Sequence, residues 1–442
     1  MKRTRVQMEE IIKKSITYIE QNLKEPLEIE TLARQAGYSL AHYQKLFSQI
    51  TGVPVATFLN KRRLDATLSE IRRGRRAIDA AFDYGFETYA GFYKAFIRIY
   101  GTSPKKYTTA KEELTMTKEI KLREILENWD IPQDLPILNI PINDGEKFAE
   151  NVWAVGEDYI LKTDKGYILK DKNEANYLLN NLKITKALLA TACHVGKPLM
   201  TKAGEDYYQT ETQIFTLTRG IKGEPLSQEE RFGENREKFG LIYGENIAKL
   251  HQGLRKIEQD IEIKQENLYK AVVEWALPLV RKINLQWSME IPETFFDDYI
   301  ASFEGLFSQL PQQLIHRDPN PSNIMFENGE FTGFIDFDIS ERNIRLWDVC
   351  YCATGLLVSW SAVSEIKTLW PGILLGILKG YDRKNPLSQA EKDAIFYVIC
   401  SIQMICIAYF DGIPELQELA KTNREMFSYL VESEAIIKNI LN

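Results

Sequence analysis

The sequence predicts a multidomain chain: an all-α domain built from two helix-turn-helix units, followed by an α+β bilobal domain. Three observations carry this. The 442 residues exceed what one ordinary core organises. Residues 7–109 read as helices separated by Gly- and Pro-containing turns, with no strand-like alternation. From about residue 136 short β-rich runs take over (ILNIPI, NVWAV, DYILKT, QIFTLT), and after about 227 the chain turns mainly helical, with one β-rich island at FTGFIDFD. The boundaries read as 1–110 for the all-α domain, 111–135 for a charged helical connector, and 136–442 for the bilobal domain. Its small lobe spans 136–218 and its helical lobe 219–442.

Composition is that of a globular protein, 44% hydrophobic and 26% charged, with enough apolar material to need no disulfide staples. The net charge of -7 is unevenly spread. Residues 1–110 hold 19 Lys+Arg against 11 Asp+Glu (+8), and the remainder 36 against 51 (-15). A basic segment on an acidic chain implies a polyanionic partner at that end. The five cysteines are odd in number and lack metal-ligand spacing, which fits reduced thiols and a cytoplasmic protein. MKRTRVQMEE has no apolar run behind it and is not a signal peptide. The apolar run Ala394–Phe410, broken by Ser401 and Gln403, is expected to be a buried helix rather than a membrane span.

In the first unit Thr31–Ala36 forms a short helix, Gly37 takes the positive φ of a tight turn, and Ser39 caps a second helix. Leu40, Tyr43, Leu46, Phe47 and Ile50 form that helix's buried stripe. Ala41, His42, Gln44, Lys45 and Ser48 remain on the other face, and short polar and basic side chains suit a major groove. The layout recurs 48 residues later. Ala77–Phe82 is the first helix, Gly85 the turn, and Phe92, Phe96 and Ile99 the stripe, with Glu87, Thr88, Tyr89, Lys94 and Arg98 exposed. The helix between the units carries Lys61, Arg62, Arg63, Arg72 and Arg73, suited to neutralising phosphates.

The run GYSLAHYQKLFSQITGVPVATFLNKRRLDAT (37–67), then Gly85, Phe86, Phe92, Phe96, Tyr100, Gly101, Ser103 and Pro104, resembles the AraC/XylS family of transcriptional regulators. The resemblance implies that the helices starting at Ser39 and Glu87 enter two successive major-groove segments of double-stranded DNA. The DNA-facing set is then Ser39, Ala41, His42, Lys45, Glu87, Thr88, Tyr89 and Lys94, with Arg62 on the backbone. Ala90, Gly91 and Lys94 depart from that family's usual residues. Two units in one chain make a DNA-binding monomer feasible.

In the second domain, LIHRDPNPSNIMFENGEFTGFIDFD places His316, Asp318 and Asn323 before a hairpin with an ENGE turn, and Asp336 after it. Phosphoryl transfer needs a carboxylate beside the attacking hydroxyl and oxygen ligands for Mg²⁺. Asp318 fits the first role; Asn323 and Asp336 fit the second. Asp338 stands either as a metal neighbour or behind the ligands. HRDPNPSN and IDFD resemble the aminoglycoside phosphotransferase/choline kinase family, a branch of the protein-kinase-like fold, with Arg317 where that family usually has Gly. The resemblance implies an ATP- and Mg²⁺-dependent kinase acting on a small-molecule hydroxyl, with Asp348 and His251 as structural residues. His316 belongs beside the site. The small lobe should supply a lysine for the phosphates. If NVWAV pairs with DYILKT, the lysine is Lys162 and Glu174 its partner. If DYILKT forms a hairpin with GYILKD, it is Lys170. Strand QIFTLT leads to the lobe hinge, where the backbone near Thr216 and Thr218 would meet adenine. The functional expectation is a transcriptional regulator fused to a small-molecule kinase. The alternatives are a regulator whose kinase-fold domain only senses an effector, and a kinase with a helical dimerisation module.

Overall fold

The structure is a computed structural model that describes residues 5–51, 53–72, 75–86, 88–100, 120–142, 147–163, 177–191, 193–211, 213–263, 265–361, 365–413 and 416–441. It divides into two compact units, Met1–Arg123 and Glu124–Asn442.

The first unit holds six described helices: α1 (Arg5–Gln21), α2 (Ile29–Gln35), α3 (Leu40–Thr51), α4 (Val55–Arg72), α5 (Ala77–Asp83) and α6 (Tyr89–Tyr100). Two small cores form it. Ile12, Ile19, Leu32, Tyr43, Phe47, Val55 and Leu59 close the first. Leu64, Leu68, Ala81, Phe92 and Phe96 close the second. Helix α4 therefore belongs to both, its N-terminal half to one and its C-terminal half to the other. Gly37 (φ 69°) and Gly85 (φ 77°) make the α2–α3 and α5–α6 turns in the left-handed region, as expected. Ile50, expected in the α3 stripe, is instead 36% exposed in the last turn of the helix. Ile99 falls outside the side chains described.

Of the expected 111–135 connector, residues 124–135 pack as the start of the second unit. Leu126, Trp129 and Ile131 are buried in the second unit. The Trp129 indole donates to the Leu199 carbonyl (3.1 Å), and the Lys202 amide donates to the Asn128 carbonyl (2.7 Å).

The small lobe is a six-stranded antiparallel sheet of β1 (Ile137–Ile142), β2 (Lys147–Val155), β3 (Tyr159–Thr163), β4 (Lys197–Leu199), β5 (Tyr208–Gln209) and β6 (Ile214–Arg219). The order is β1-β2-β3-β6-β4, with β5 also on β6. Helix α7 (Tyr177–Leu188) precedes β4. In the register, Val152 faces Lys162, and Lys162 faces Thr216 on the other side. Both edges of β3 are thus occupied, which excludes the alternative hairpin of DYILKT with GYILKD.

The large lobe contains α8 (Gln228–Phe232), α9 (Arg236–Ile257), α10 (Leu268–Ala271) continuing through a π turn (Val272–Ala276) into α11 (Leu277–Trp287), and α12 (Glu293–Phe307). Strand β7 (Gln312–Ile315), the hairpin β8 (Ile324–Glu327) and β9 (Glu330–Phe334), and β10 (Glu341–Ile344) follow, then α13 (Leu346–Leu357), α14 (Ile366–Lys384), α15 (Gln389–Phe410), α16 (Gln417–Glu432) and α17 (Glu434–Lys438). Asn328 (φ 53°) and Gly329 (φ 77°) make the β8–β9 turn, the Asn-Gly pair that tight hairpins favour. Helix α15 is long and apolar enough to cross a membrane by length and composition, and two thirds of its most apolar window is buried inside the fold.

Helices α9 and α14 cross backbone to backbone. A Cβ added to Gly244 would lie 1.9 Å from the Ile377 carbonyl oxygen, and one on Gly380 would lie 2.2 Å from that of Leu241. Only glycine permits this approach.

Candidate functional site

Between β7 and β8 the chain forms a tight loop that presents Asp318. Its foundation is Asp348 in the first turn of α13, fully buried. One carboxylate oxygen accepts the His316 amide (2.9 Å) and His251 Nε2 (2.9 Å); the other accepts the Arg317 amide (3.0 Å). A carboxylate only accepts, so His251 Nε2 donates to it, and Nδ1 lies 2.8 Å from the Tyr381 hydroxyl. The N-terminus of α13 is fixed by Arg345, whose guanidinium donates to both oxygens of the buried Glu391 (2.7 and 2.8 Å). Asp348 thus ties α9 and the His316–Arg317 backbone to the start of α13.

Arg317 adopts φ 76°, a left-handed conformation that costs a non-glycine residue about 1–3 kcal/mol. Its side chain is tied down. The guanidinium lies 3.5 Å from the Trp347 ring centroid and pairs with Glu341 (2.9 Å), while the Trp347 indole donates to the Arg317 carbonyl (2.9 Å). His316 is buried, its Nε2 bonded to the Ile335 carbonyl (3.0 Å).

The loop delivers Asp318 with both oxygens oriented. Asn320 Nδ2 donates to Oδ1 (2.7 Å), and Asn323 Nδ2 donates to Oδ2 (3.0 Å) and to the Asp318 carbonyl (2.9 Å). The Tyr351 hydroxyl also hydrogen-bonds this carboxylate. Burial pushes the Asp318 pKa up, against the opposing pull of Asn320 and His316. Asn323 spends its amide hydrogens on Asp318. Its side-chain oxygen, Oδ1, is left without a protein partner among the described residues.

The Ile335 amide donates to the Asn323 carbonyl (3.1 Å), which brings Asp336 beside Asn323. Asp336 also sits in the left-handed region (φ 65°). Lys162 Nζ donates to Asp336 Oδ1 (2.8 Å) and to Asp338 Oδ2. Burial alone would lower the lysine's pKa, but Asp338 and Asp336 outweigh it and raise it. For Asp336 burial works upward and Lys162 outweighs it, so its pKa is held down; burial wins at Asp338, which is raised. Asn181 of α7 donates to Asp338 Oδ1 (2.6 Å), and Thr185 fixes the Asn181 carbonyl (2.9 Å). A polar chain thus runs from α7 through Asp338 to Lys162.

The structure brings Lys162, His316, Asp318, Asn323, Asp336 and Asp348 together. Lys170 and Glu174 lie outside the described residues. Thr216 and Thr218 are corrections. Thr218 pairs with Ile160 on one side and Pro198 on the other, and Thr216 is 4% exposed opposite Lys162. A strand covered on both sides offers adenine no backbone edge. Sequence reasoning missed Asn181, Asn320 and Tyr351. Of these only Asn320 had a local signal, an Asn two residues before Ser322, whose amide its side chain accepts (2.8 Å).

In the first unit Ser39, Ala41, His42 and Lys45 are exposed at the start of α3, with His42 stacked on Tyr38 (4.8 Å). Thr88, Tyr89 and Lys94 are exposed at α6. Thr88 caps that helix, its hydroxyl accepting the Gly91 amide (3.0 Å). Glu87 lies outside the described residues. Arg62 is a correction: its guanidinium makes a two-pronged pair with Glu20 of α1 (2.5 and 2.9 Å), so it clamps α4 to α1 instead of standing ready for phosphate.

Residues 147–383, more than half of the chain, match the phosphotransferase enzyme family, and residues 32–110 match a helix-turn-helix domain family. The chain belongs to the phosphotransferase enzyme family and carries an AraC-type helix-turn-helix regulator domain in front of the phosphotransferase domain. It is 32% identical over 102 residues to the transposon Tn10 TetD protein of Escherichia coli, covering 23% of this chain and 74% of that protein. It is 31% identical over 126 residues to a homoserine kinase of Gluconobacter oxydans, covering 28% of this chain but only 38% of the kinase. An aminoglycoside phosphotransferase from Alicyclobacillus acidocaldarius superposes with a TM-score of 0.50 at 13% identity, over 72% of this chain and 96% of that one, which establishes the fold of the second unit.

Proposed function

We propose that the second unit transfers the γ-phosphoryl group of ATP to a hydroxyl of a small molecule, in the cytoplasm, and that the first unit binds double-stranded DNA and controls transcription. The observation that carries the enzymatic reading is the convergence of Asp318, Asn323, Asp336 and Lys162 on one locus from three separate chain segments.

Asp318 accepts the proton of the acceptor hydroxyl. As the oxygen–phosphorus bond forms, the bond from the γ-phosphorus to the bridging oxygen breaks and ADP leaves with that electron pair. Asn320 and Asn323 keep the carboxylate aimed without neutralising it. Its raised pKa makes it a stronger base than an exposed aspartate. Lys162 serves the phosphates. The leftover Asn323 Oδ1 and the Asp336 carboxylate are hard oxygen donors of the kind Mg²⁺ takes, and they fit it. Bound there, the ion would supply charge neutralisation for the transferred group. On DNA, Lys45 and Lys94 face the helix backbone, while Ala41, His42 and Tyr89 face base edges.

The test is phosphate transfer from Mg-ATP to a panel of amine alcohols and sugars, with Asp318→Ala alongside. Transfer abolished by Asp318→Ala is expected. No product with any acceptor, together with a ligand-dependent change in DNA affinity that survives Asp318→Ala, establishes a non-catalytic sensor instead.

A further inference from the structure

Behind the segment joining the two lobes of the second unit lies a shallow depression of about 340 Å³. Its lining includes Cys193 and His194 ahead of β4, Lys197 in β4, Arg219 at the end of β6, Lys222, and Thr332 in β9. Among the described residues no carboxylate lines it, although residues 111–442 carry 36 basic against 51 acidic side chains. A neighbouring cavity of about 320 Å³ shares Cys193 and His194 and adds Lys249 and Glu245, the latter already paired with Arg383.

Two features indicate an anion. Lys197 and Arg219 are directly opposed across the β4–β6 ladder. Like charges in that position destabilise a sheet unless something of opposite sign sits between them. Arg219 bonds only weakly, to the Tyr159 hydroxyl (3.3 Å) with its guanidinium 5.5 Å from that ring, and feels Asp158 electrostatically from outside the depression. Lys197 and Lys222 have no ion-pair partner among the described residues. All three cations are exposed.

The walls come from both lobes, and the seam beneath is tight. The Phe334 amide donates to the His194 carbonyl (3.0 Å), and Thr332 Oγ1 donates to the Lys222 carbonyl (2.7 Å). A Cβ on Gly333 would lie 2.5 Å from Ile221 Cδ1 and 2.6 Å from the His194 carbonyl oxygen. Two residues past Phe334 stands Asp336.

We propose that this depression binds a small multivalent oxyanion, a phosphate ester or a dicarboxylate, as an effector separate from the substrates of the cleft. It holds the small-lobe sheet against the hairpin from which Asp336 emerges. None of its lining residues belongs to the cluster around Asp318, so the site does not depend on the proposed transfer reaction.

The experiment is isothermal titration of the full chain with inorganic phosphate and, separately, with succinate, at an ionic strength held constant with NaCl. Three proteins are compared: wild type, the double variant Lys197→Gln/Lys222→Gln, and Lys162→Met, with circular dichroism confirming that each is folded. Expected is one saturable site, weakened at least tenfold by the double variant and unchanged by Lys162→Met. Binding of phosphate alone assigns the effector to phosphate esters, and of succinate alone to dicarboxylates. Binding lost in Lys162→Met but kept in the double variant places the anion in the interlobe cleft and overturns the proposal. So does heat no different from NaCl, which is the behaviour of an adventitious ion only. Because no turnover is measured, failure here is distinct from failure of the kinase reading.

Discussion

Replacing Asp348 tests how the Asp318 loop is held. Asp348→Ala removes the acceptor of two backbone amides, those of His316 and Arg317, in a region closed to solvent. A buried donor left unsatisfied costs about 1–3 kcal/mol, so the two amides together cost about 2–6 kcal/mol. His251 adds less, because its imidazole can move the proton to the other nitrogen. Against a total stability of about 5–15 kcal/mol this is a large fraction. Asp348→Asn keeps one oxygen and turns an amino group toward a donor, so it should cost about 1–3 kcal/mol. The two changes should therefore rank Ala worse than Asn. Urea unfolding followed by tryptophan fluorescence isolates the effect, since all seven tryptophans lie beyond residue 123. With its amide released, Arg317 relaxes from its left-handed conformation and Asp318 loses its aim. Phosphoryl transfer should then fall even where the fold survives. An Asp348→Ala protein within 0.5 kcal/mol of wild type, or one less perturbed than Asp348→Asn, would refute the anchoring role.

Further outcomes follow from the same geometry. Asp318 must be ionised to take a proton and burial raises its pKa, so kcat/KM should decline on acidification with a midpoint above the usual aspartate range; a midpoint in or below that range contradicts this. Asp338→Asn removes one of the two charges orienting Lys162. It should raise KM for ATP roughly 10- to 100-fold, the loss of a hydrogen bond to a charged group, with a smaller change in kcat; a fall in kcat at unchanged KM would argue against positioning. On DNA, Lys45→Ala and Lys94→Ala should each lower the slope of log affinity against log salt by about 0.9. Arg62→Ala should leave that slope alone and cost the first unit about 0.2–1 kcal/mol in thermal or urea unfolding followed by circular dichroism, because its guanidinium is committed to Glu20. A reduced salt slope for Arg62→Ala would reinstate it as a phosphate contact.

The parts legible in the sequence are those written in short spacings. Gly37 and Gly85 announce their turns because only glycine takes a positive φ freely. Asp318, Asn323 and Asp336 are separated by one loop and one hairpin, so their meeting follows from local geometry. Contacts between distant segments leave no such trace. Nothing near Arg62 indicates that Glu20 will claim it, and nothing near Asn181 points to Asp338, 157 residues away. Thr216 and Thr218 were misplaced because a β-rich run does not reveal which of its edges will be covered; β4, β5 and β3 all pair with β6. The two YILK runs were indistinguishable in isolation. The sheet order bears only on whether they pair with each other, since β3 has no edge left for a second partner.

The crossing of α9 and α14 places a demand on residues that carry no chemistry. His251 rides on α9 and Tyr381 on α14, and their hydrogen bond stands next to the carboxylate beneath Asp318. How far apart those two side chains stand is set at Gly244 and Gly380, where a single methyl group would wedge the helices open. Alanine there is thus a remote lesion. It lies outside the Asp318 cluster, yet it would lengthen the strut supporting the Asp318 loop in a chain that still looks well folded.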